Sequence, residues 1–208
     1  MYNSIKLILL GDSNVGKTQI CYKYTKEHQI YIPESTIGVE FYFKLVSLYG
    51  HKYKINIWDT AGQERFKSLV KIYFKDSDAA IIVFDITSLE SFKSLQYWLD
   101  VFQNNRPNKP VFIVANKIDL INEYNTIDDN IIKAFLSENF LIDNIYKVSA
   151  KNGTNIKEMF NDIIDSILKQ DINKFYEIDL NTPNENDFEK INLLDKKINK
   201  RSCCGICP

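Results

Sequence analysis

No apolar run in this 208-residue chain approaches the roughly 18 residues that a membrane span requires; the strongest, residues 79–84, ends at Asp85. Nor does one sign of charge dominate. Lysine and arginine number 26 against 27 aspartates and glutamates, a formal charge of −1. That balance speaks against a body built to hold duplex nucleic acid by electrostatics. Cysteine is scarce and unevenly placed, with Cys21 alone and Cys203, Cys204 and Cys207 crowded at the very end. An extracellular disulfide frame would spread its cysteines through the fold, so this distribution fits a reducing compartment. The first apolar run, residues 5–10, is too short for a signal peptide and leads straight into Gly11. Arginine is nearly missing: Arg65, Arg106 and Arg201 are all there are. The remainder is ordinary for a globular protein, 45% apolar and 25% charged. The expectation is a folded chain, neither exported nor membrane-spanning, of one domain and a little more.

From Ser4 to about Leu168, short β-rich runs alternate with helical spacing. The runs are residues 5–10, 39–48, 53–59, 79–85, 110–116 and 145–149. Between them, residues 91–103 carry Phe92, Leu95, Trp98, Leu99 and Phe102 at three-and-four spacing, and residues 156–168 repeat the pattern from Ile156 to Ile167. Runs as apolar as Ala80-Ile81-Ile82-Val83-Phe84 read as buried on both faces, which is the mark of a parallel sheet covered by helices. Residues 39–48 and 53–59 are joined only by Tyr49-Gly50-His51-Lys52, too short for a crossover, so that pair is expected to be antiparallel. Beyond Lys169 the composition turns to Asn, Asp, Glu and Lys, broken by Thr182-Pro183. Residues 1–170 are therefore read as one α/β domain and 171–208 as a flexible tail.

Gly11-Asp12-Ser13-Asn14-Val15-Gly16-Lys17-Thr18 follows a strand run and opens a helical one, the GxxxxGK[ST] pattern in its proper context. Glycines let the backbone curl so that successive N–H groups face phosphate oxygens, and the helix N-terminus adds partial positive charge. Lys17 is placed to reach the β and γ phosphates, and the Thr18 hydroxyl to ligate Mg²⁺. A chance match in a chain this long arises roughly once in a hundred. Ser13, Asn14, Val15 and Gln19 complete the expected phosphate contacts.

Asn116-Lys117-Ile118-Asp119 ends a later strand run, on the edge where open α/β sheets place ligands. The Asp119 carboxylate can accept from both the ring N–H and the exocyclic amine of guanine, a donor pair that adenine lacks. Asn116 would brace the loop and Lys117 lie along the ring. Taken alone these four letters more often make a polar loop. Ser149-Ala150-Lys151, just past another run, would bring the Ala150 N–H to the guanine oxygen. Asp59 ends the third run and can hold a metal-bound water, the Gly62 N–H can bind a γ-phosphate, and Gln63 can orient an attacking water. A lone Asp at a strand end is usually a turn residue, but this one follows a phosphate loop at the distance a metal partner needs.

With these motifs in order, and Thr36 as the second of five, the chain resembles the small GTPases of the Ras superfamily from Ser4 to about Lys169. Within them it is most similar to the Rab family, through Ser35-Thr36-Ile37-Gly38-Val39-Glu40-Phe41, Lys54-Ile55-Asn56-Ile57-Trp58, Gln63-Glu64-Arg65-Phe66 and Val83-Phe84-Asp85-Ile86-Thr87. The resemblance implies a six-stranded, mostly parallel sheet with one antiparallel edge strand and helices on both faces. It also implies a GDP/GTP-switched monomer with Gln63 and Lys17 catalytic, and Mg²⁺ on Thr18, Thr36 and Asp59. Implied partners are an exchange factor, an activating protein, effectors, and prenyl-transfer and extraction machinery, with no nucleic acid. The chain departs from the family at Ile72-Tyr73-Phe74-Lys75-Asp76-Ser77, where Rabs have Tyr-Tyr-Arg-Gly, and at Gln29, where the family stacks an aromatic ring on guanine.

Lys196, Lys197, Lys200 and Arg201 precede Cys203, Cys204 and Cys207. Thiols at a terminus behind basic residues are what a lipid transferase can reach, and two chains hold a membrane stably where one does so marginally. Prenylation is expected at Cys203 and Cys204, with Cys207 able to replace one of them, on the cytosolic face of an intracellular membrane. Zinc is the rival, but no fourth close ligand is present. For the whole chain, the alternatives are a GTPase of another superfamily branch, a P-loop kinase of a small metabolite, and a nucleotide-locked binding module. No basic lid or acceptor pocket favours the kinase, and Gln63 speaks against the locked module.

Overall fold

The computed structural model describes residues 3–26, 38–61, 71–121, 123–124, 126–138 and 142–179. Strands β1 (Asn3–Leu10), β2 (Val39–Leu48), β3 (His51–Thr60), β4 (Ala79–Asp85), β5 (Val111–Asn116) and β6 (Ile142–Lys147) form one six-stranded sheet in the order β2-β3-β1-β4-β5-β6. Every neighbouring pair is parallel except β2 with β3, which run antiparallel from Val39 opposite Thr60 to Leu48 opposite His51. Their ladder leaves Tyr49 and Gly50 as the loop, both at positive φ (52° and 78°), the backbone that a two-residue hairpin requires.

All residues of β4 and β5 are buried, as their unbroken apolar runs demand of central parallel strands. Successive side chains point to opposite faces, so the sheet has two cores. On one, Ile8, Leu10, Ile82, Phe84 and Ile113 pack with Phe92, Leu95, Trp98, Leu99 and Phe102. These last come from helices α2 (Leu89–Lys93) and α3 (Leu95–Asn105). On the other lie helices α1 (Lys17–Thr25) and α5 (Ile156–Asp179), where Tyr24 stacks on Phe160 with ring centroids 3.8 Å apart. Helix α4 (Asp129–Glu138) adds Ile132 to the first core.

Several element boundaries differ from the sequence reading. The helix expected over 91–103 starts earlier, at Leu89, and passes from α2 to α3 at Ser94, whose backbone stays helical (φ −71°, ψ −12°) and bonds Glu90 and Trp98. The Ser88 hydroxyl caps α2 by accepting from the Ser91 amide, and the Ser94 hydroxyl turns back on the Glu90 carbonyl. The last strand covers 142–147 instead of 145–149, because the chain leaves the ladder at Ser149. There its own amide and carbonyl are taken by Thr154 O and Gly153 N. Helix α5 continues to Asp179, across the boundary that composition places at residue 170.

The order of strands sets the site. The connection from β1 leads to one side of the sheet and that from β4 to the other, so the carboxyl ends of β1 and β4 flank the crevice where such sheets bind ligands.

Candidate functional site

The chain leaves β1 at Gly11 and enters α1 at Lys17, and both ends of this loop are held by steric necessity. Gly11 has φ 135°, and a Cβ there would lie 2.2 Å from the Val83 carbonyl oxygen of β4. Gly16 has φ 93°, and a Cβ there would lie 2.4 Å from the Asn116 side-chain nitrogen. No residue other than glycine fits either position without moving backbone or a buried amide. Between them Asn14 adopts φ 64°, a left-handed conformation that asparagine tolerates better than most residues, and this accounts for its presence where glycine is frequent. Ser13 and Asn14 are exposed, Val15 is buried, and Gln19 lies in the first turn of α1.

Gly16 caps α1 without any side-chain bond, so the first-turn amides of the helix face the loop as donors. Lys17 is buried and donates to the carbonyls of Gly11 at 2.8 Å and Asp12 at 2.7 Å. Burial pulls its ammonium down to about 8, against the opposing attraction of Asp59 and Asp12. A cation kept at that cost of solvation is one that gains by meeting an anion.

Asp59, at the end of β3, is fully buried and accepts from the Thr18 hydroxyl at 2.5 Å. A hydroxyl and a carboxylate side by side are hard oxygen donors suited to Mg²⁺, which takes one or two protein groups and completes its shell with water and phosphate. Among the described residues there is no group of three or more His, Cys, Asp or Glu that could hold a metal ion. Thr36, Gly62 and Gln63, expected on the γ-phosphate side, lie outside the described residues.

The base-side segments are joined through Asn116, which is buried at the end of β5. Its amide donates to the Val15 carbonyl in the phosphate loop at 2.8 Å, and its oxygen accepts from the Ala150 amide at 3.0 Å. One side chain thus clamps three of the expected segments together. Lys117 takes φ 68° and pairs with Asp85 at 2.6 Å. Burial pushes the Asp85 carboxyl up, but hydrogen bonds from Lys117 and Thr87 outweigh it and hold the group below its ordinary value. Asp119 accepts from the Ser149 hydroxyl at 2.5 Å and faces the Lys151 ammonium at 3.9 Å. The carboxylate expected to read the base is therefore oriented by the neighbouring loop.

Two residues that sequence reasoning did not assign belong to this constellation. The sequence reading has Asp85 at the end of a strand run and within a Rab-like segment, and Trp98 as one apolar position in a helical stripe. The Trp98 indole N–H donates to the Asp12 carboxylate at 2.9 Å. Nothing in the spacing of Trp98 marks it, because its partner is 86 positions away.

A strand, a glycine-bounded loop with a buried lysine, and a helix opening at the switch point of a parallel sheet define a phosphate-loop nucleotide-binding protein. The Ras family model matches residues 6–169 of the chain. Among curated proteins, it is 40% identical to the Ras-related protein Rab-1C of Dictyostelium discoideum over 79% of this chain and 81% of that protein. It is 36% identical to a probable Rab-related GTPase of Acanthamoeba polyphaga mimivirus, over 82% and 80%. It is 38% identical to the Ras-related protein Rab-5B of Plasmodium falciparum, over 75% and 74%. The chain belongs to the Ras family. Within it the protein is a Rab-like small GTPase of vesicle trafficking, which binds GTP and GDP and works with regulators and effectors. Among the described residues, no helix is long and apolar enough to cross a membrane.

Proposed function

We propose that this GTPase reads guanine through Asp119, braced by Asn116, and grips the phosphates through the amides of residues 11–18 and the Lys17 ammonium. The observation that carries the reading is the double hydrogen bond of Asn116 to Val15 and Ala150, because it fixes the base loops against the phosphate loop. A ligand spanning both ends then meets one preorganised surface and loses little to ordering. Ala150 presents its N–H beside the Asn116 oxygen, where a guanine oxygen can share the donor.

Phosphoryl transfer asks mainly for positioning and charge stabilisation. Lys17 neutralises charge on the phosphate oxygens, Gln63 aims the attacking water, and Thr18, Asp59 and Thr36 would hold Mg²⁺. When bound, Mg²⁺ supplies charge neutralisation at the β and γ phosphate oxygens. Thr36 would join that set only when the γ-phosphate is present, which would make the nucleotide state visible at the surface. None of the arginines lies in the segment around Thr36, so fast hydrolysis requires an activating protein, worth ~10³–10⁵ in rate. Effectors have an exposed surface to meet nearby: Phe41 packs on Phe43 and Trp58, Trp58 on Tyr73, and Lys54 lies over both phenylalanine rings.

Single-turnover hydrolysis of bound GTP, with and without Mg²⁺, tests the mechanism. Gln63→Leu is expected to retain GTP and slow hydrolysis about tenfold or more, since an apolar side chain cannot orient water. Equal rates would remove Gln63 from the reaction. The membrane end of the proposal rests on Cys203 and Cys204, which lie outside the described residues. Each prenyl chain adds ~0.8 kcal/mol per buried CH₂, far above the charge attraction of the preceding lysines. Replacing both cysteines by serine is expected to release the protein into the soluble fraction with nucleotide binding intact. Retention on membranes would move attachment to Cys207 or to a protein partner.

A further inference from the structure

The phosphate loop contains a carboxylate, Asp12, beside the lysine that must hold a polyphosphate. Lys17 donates to the Asp12 main-chain carbonyl at 2.7 Å, so the two residues are already in contact. A free carboxylate on that residue would compete with phosphate oxygens for the ammonium and repel their charge. The only hydrogen bond described to this carboxylate comes from the buried indole of Trp98 on α3, at 2.9 Å. That indole is locked in place by the core around Phe84, Leu95 and Phe102. On its outer side the partly exposed Tyr97 packs edge-on against it, with centroids 5.2 Å apart.

We infer that Trp98 is a positioning residue of the nucleotide site, whose indole N–H holds the Asp12 carboxylate on α3 and so leaves Lys17 to the phosphates. Trp98 touches no expected ligand position itself; it acts through Asp12. The inference rests on the reading that residues 11–18 hold the nucleotide. The phenylalanine variant Trp98→Phe keeps an aromatic body in the core and removes only the donor. It is expected to speed GDP release about tenfold, the size of one hydrogen bond to a charged group. The diagnostic step is the same substitution made in an Asp12→Asn background. There no carboxylate remains to be restrained, and Trp98→Phe is expected to change the release rate less than about twofold, near the error of such cycles. A purely structural tryptophan would speed release equally in both backgrounds, and that result overturns the inference. An unchanged rate in the Asp12 background overturns it as well.

A spectroscopic readout covers the case in which Trp98→Phe does not fold. The chain has two tryptophans, Trp58 and Trp98, so indole N–H signals from ¹⁵N-tryptophan protein are readily assigned. Asp12→Ala is expected to move the Trp98 indole signal upfield and speed its exchange with solvent, leaving that of Trp58 in place. A Trp98 signal indifferent to Asp12 would refute the contact. Purified wild-type protein that retains no guanine nucleotide would instead defeat the underlying assignment of residues 11–18, an outcome separable from either of these.

Discussion

The two ends of the nucleotide site are built differently. At the phosphate end, contiguous residues do the work through backbone shape: two glycines at φ 135° and 93°, an asparagine at φ 64°, and a helix opening without a side-chain cap. At the base end, residues from separate segments are fastened by side chains, Asn116 to Ala150, Ser149 to Asp119 and Lys117 to Asp85. A backbone site tolerates many neighbours but almost no change at its glycines. A side-chain site spreads its dependence over several bonds, each of moderate value. The same contrast separates what the two ends recognise, since phosphate is read by charge and N–H groups, and guanine by a specific donor pair.

The largest effect should come where the two ends meet. Gly16→Ala places a methyl group 2.4 Å from the Asn116 amide and forces alanine into φ 93°. The strain costs ~1–3 kcal/mol, and displacing the buried amide leaves polar groups unpaired at a similar cost. Guanine nucleotide affinity is expected to fall at least about 100-fold. Equilibrium titration with a fluorescent GDP analogue measures it, and near-normal binding would show that the phosphate loop and Asn116 are not mutually constrained.

Asp119→Asn sharpens the comparison by altering the base end alone. The paired acceptors become one donor and one acceptor, which suits a base carrying an oxygen where guanine carries its amine. GTP affinity is expected to drop about 100-fold while xanthosine triphosphate gains, and phosphate-end contacts stay as they were. Competition between the two nucleotides reports it directly. If both weakened equally, Asp119 would be holding the Ser149 loop in place and not reading the base.

How far each end was legible follows from the same contrast. The phosphate loop is contiguous, its spacing is set by backbone geometry, and residues 11–18 were therefore readable as a unit. The sheet was readable because residues 79–85 and 111–116 are apolar enough to be central strands, and the linker at residues 49–52 is too short for anything but a hairpin. The fastening of the base end was not readable in the same way. The sequence reading has Asn116 brace its loop, but it does not name the partners, Val15 and Ala150, that the structure gives it. Asp85 and Trp98 escaped notice because a polar contact between distant residues leaves no periodicity in the chain. The limits of β6 and of α2 and α3 were missed for a related reason. The Ser88 cap, which accepts from the Ser91 amide, and the main-chain turn at Ser149 set such ends, and apolar spacing does not report these bonds.

The smallest effect is expected at the edge of the base end, where Asp85 holds Lys117 in its left-handed backbone at φ 68°. Asp85 also accepts from the Thr87 amide at 2.9 Å and hydroxyl at 2.7 Å. Burial alone would raise its carboxyl, and these hydrogen bonds reverse that, leaving the folded-state value below the ordinary 3.8. A carboxyl depressed on folding contributes stability that is complete above its unfolded value and fades as pH falls through the folded one. Asp85→Asn keeps the shape and an acceptor but loses the charge opposite Lys117, and is expected to cost about 1 kcal/mol at neutral pH. The difference between wild type and variant should hold steady from pH 7 down to about 4 and shrink below that, as Asp85 takes up its proton. Denaturant unfolding at a series of pH values measures this difference. A gap that widened in acid would mean that the pair with Lys117 does not set the carboxyl's affinity for its proton. The left-handed turn at Lys117 would then be held by the backbone bonds of Ile118 to Val148 and Leu120 to Lys117. In that case the base end, at this edge, would be built as the phosphate end is.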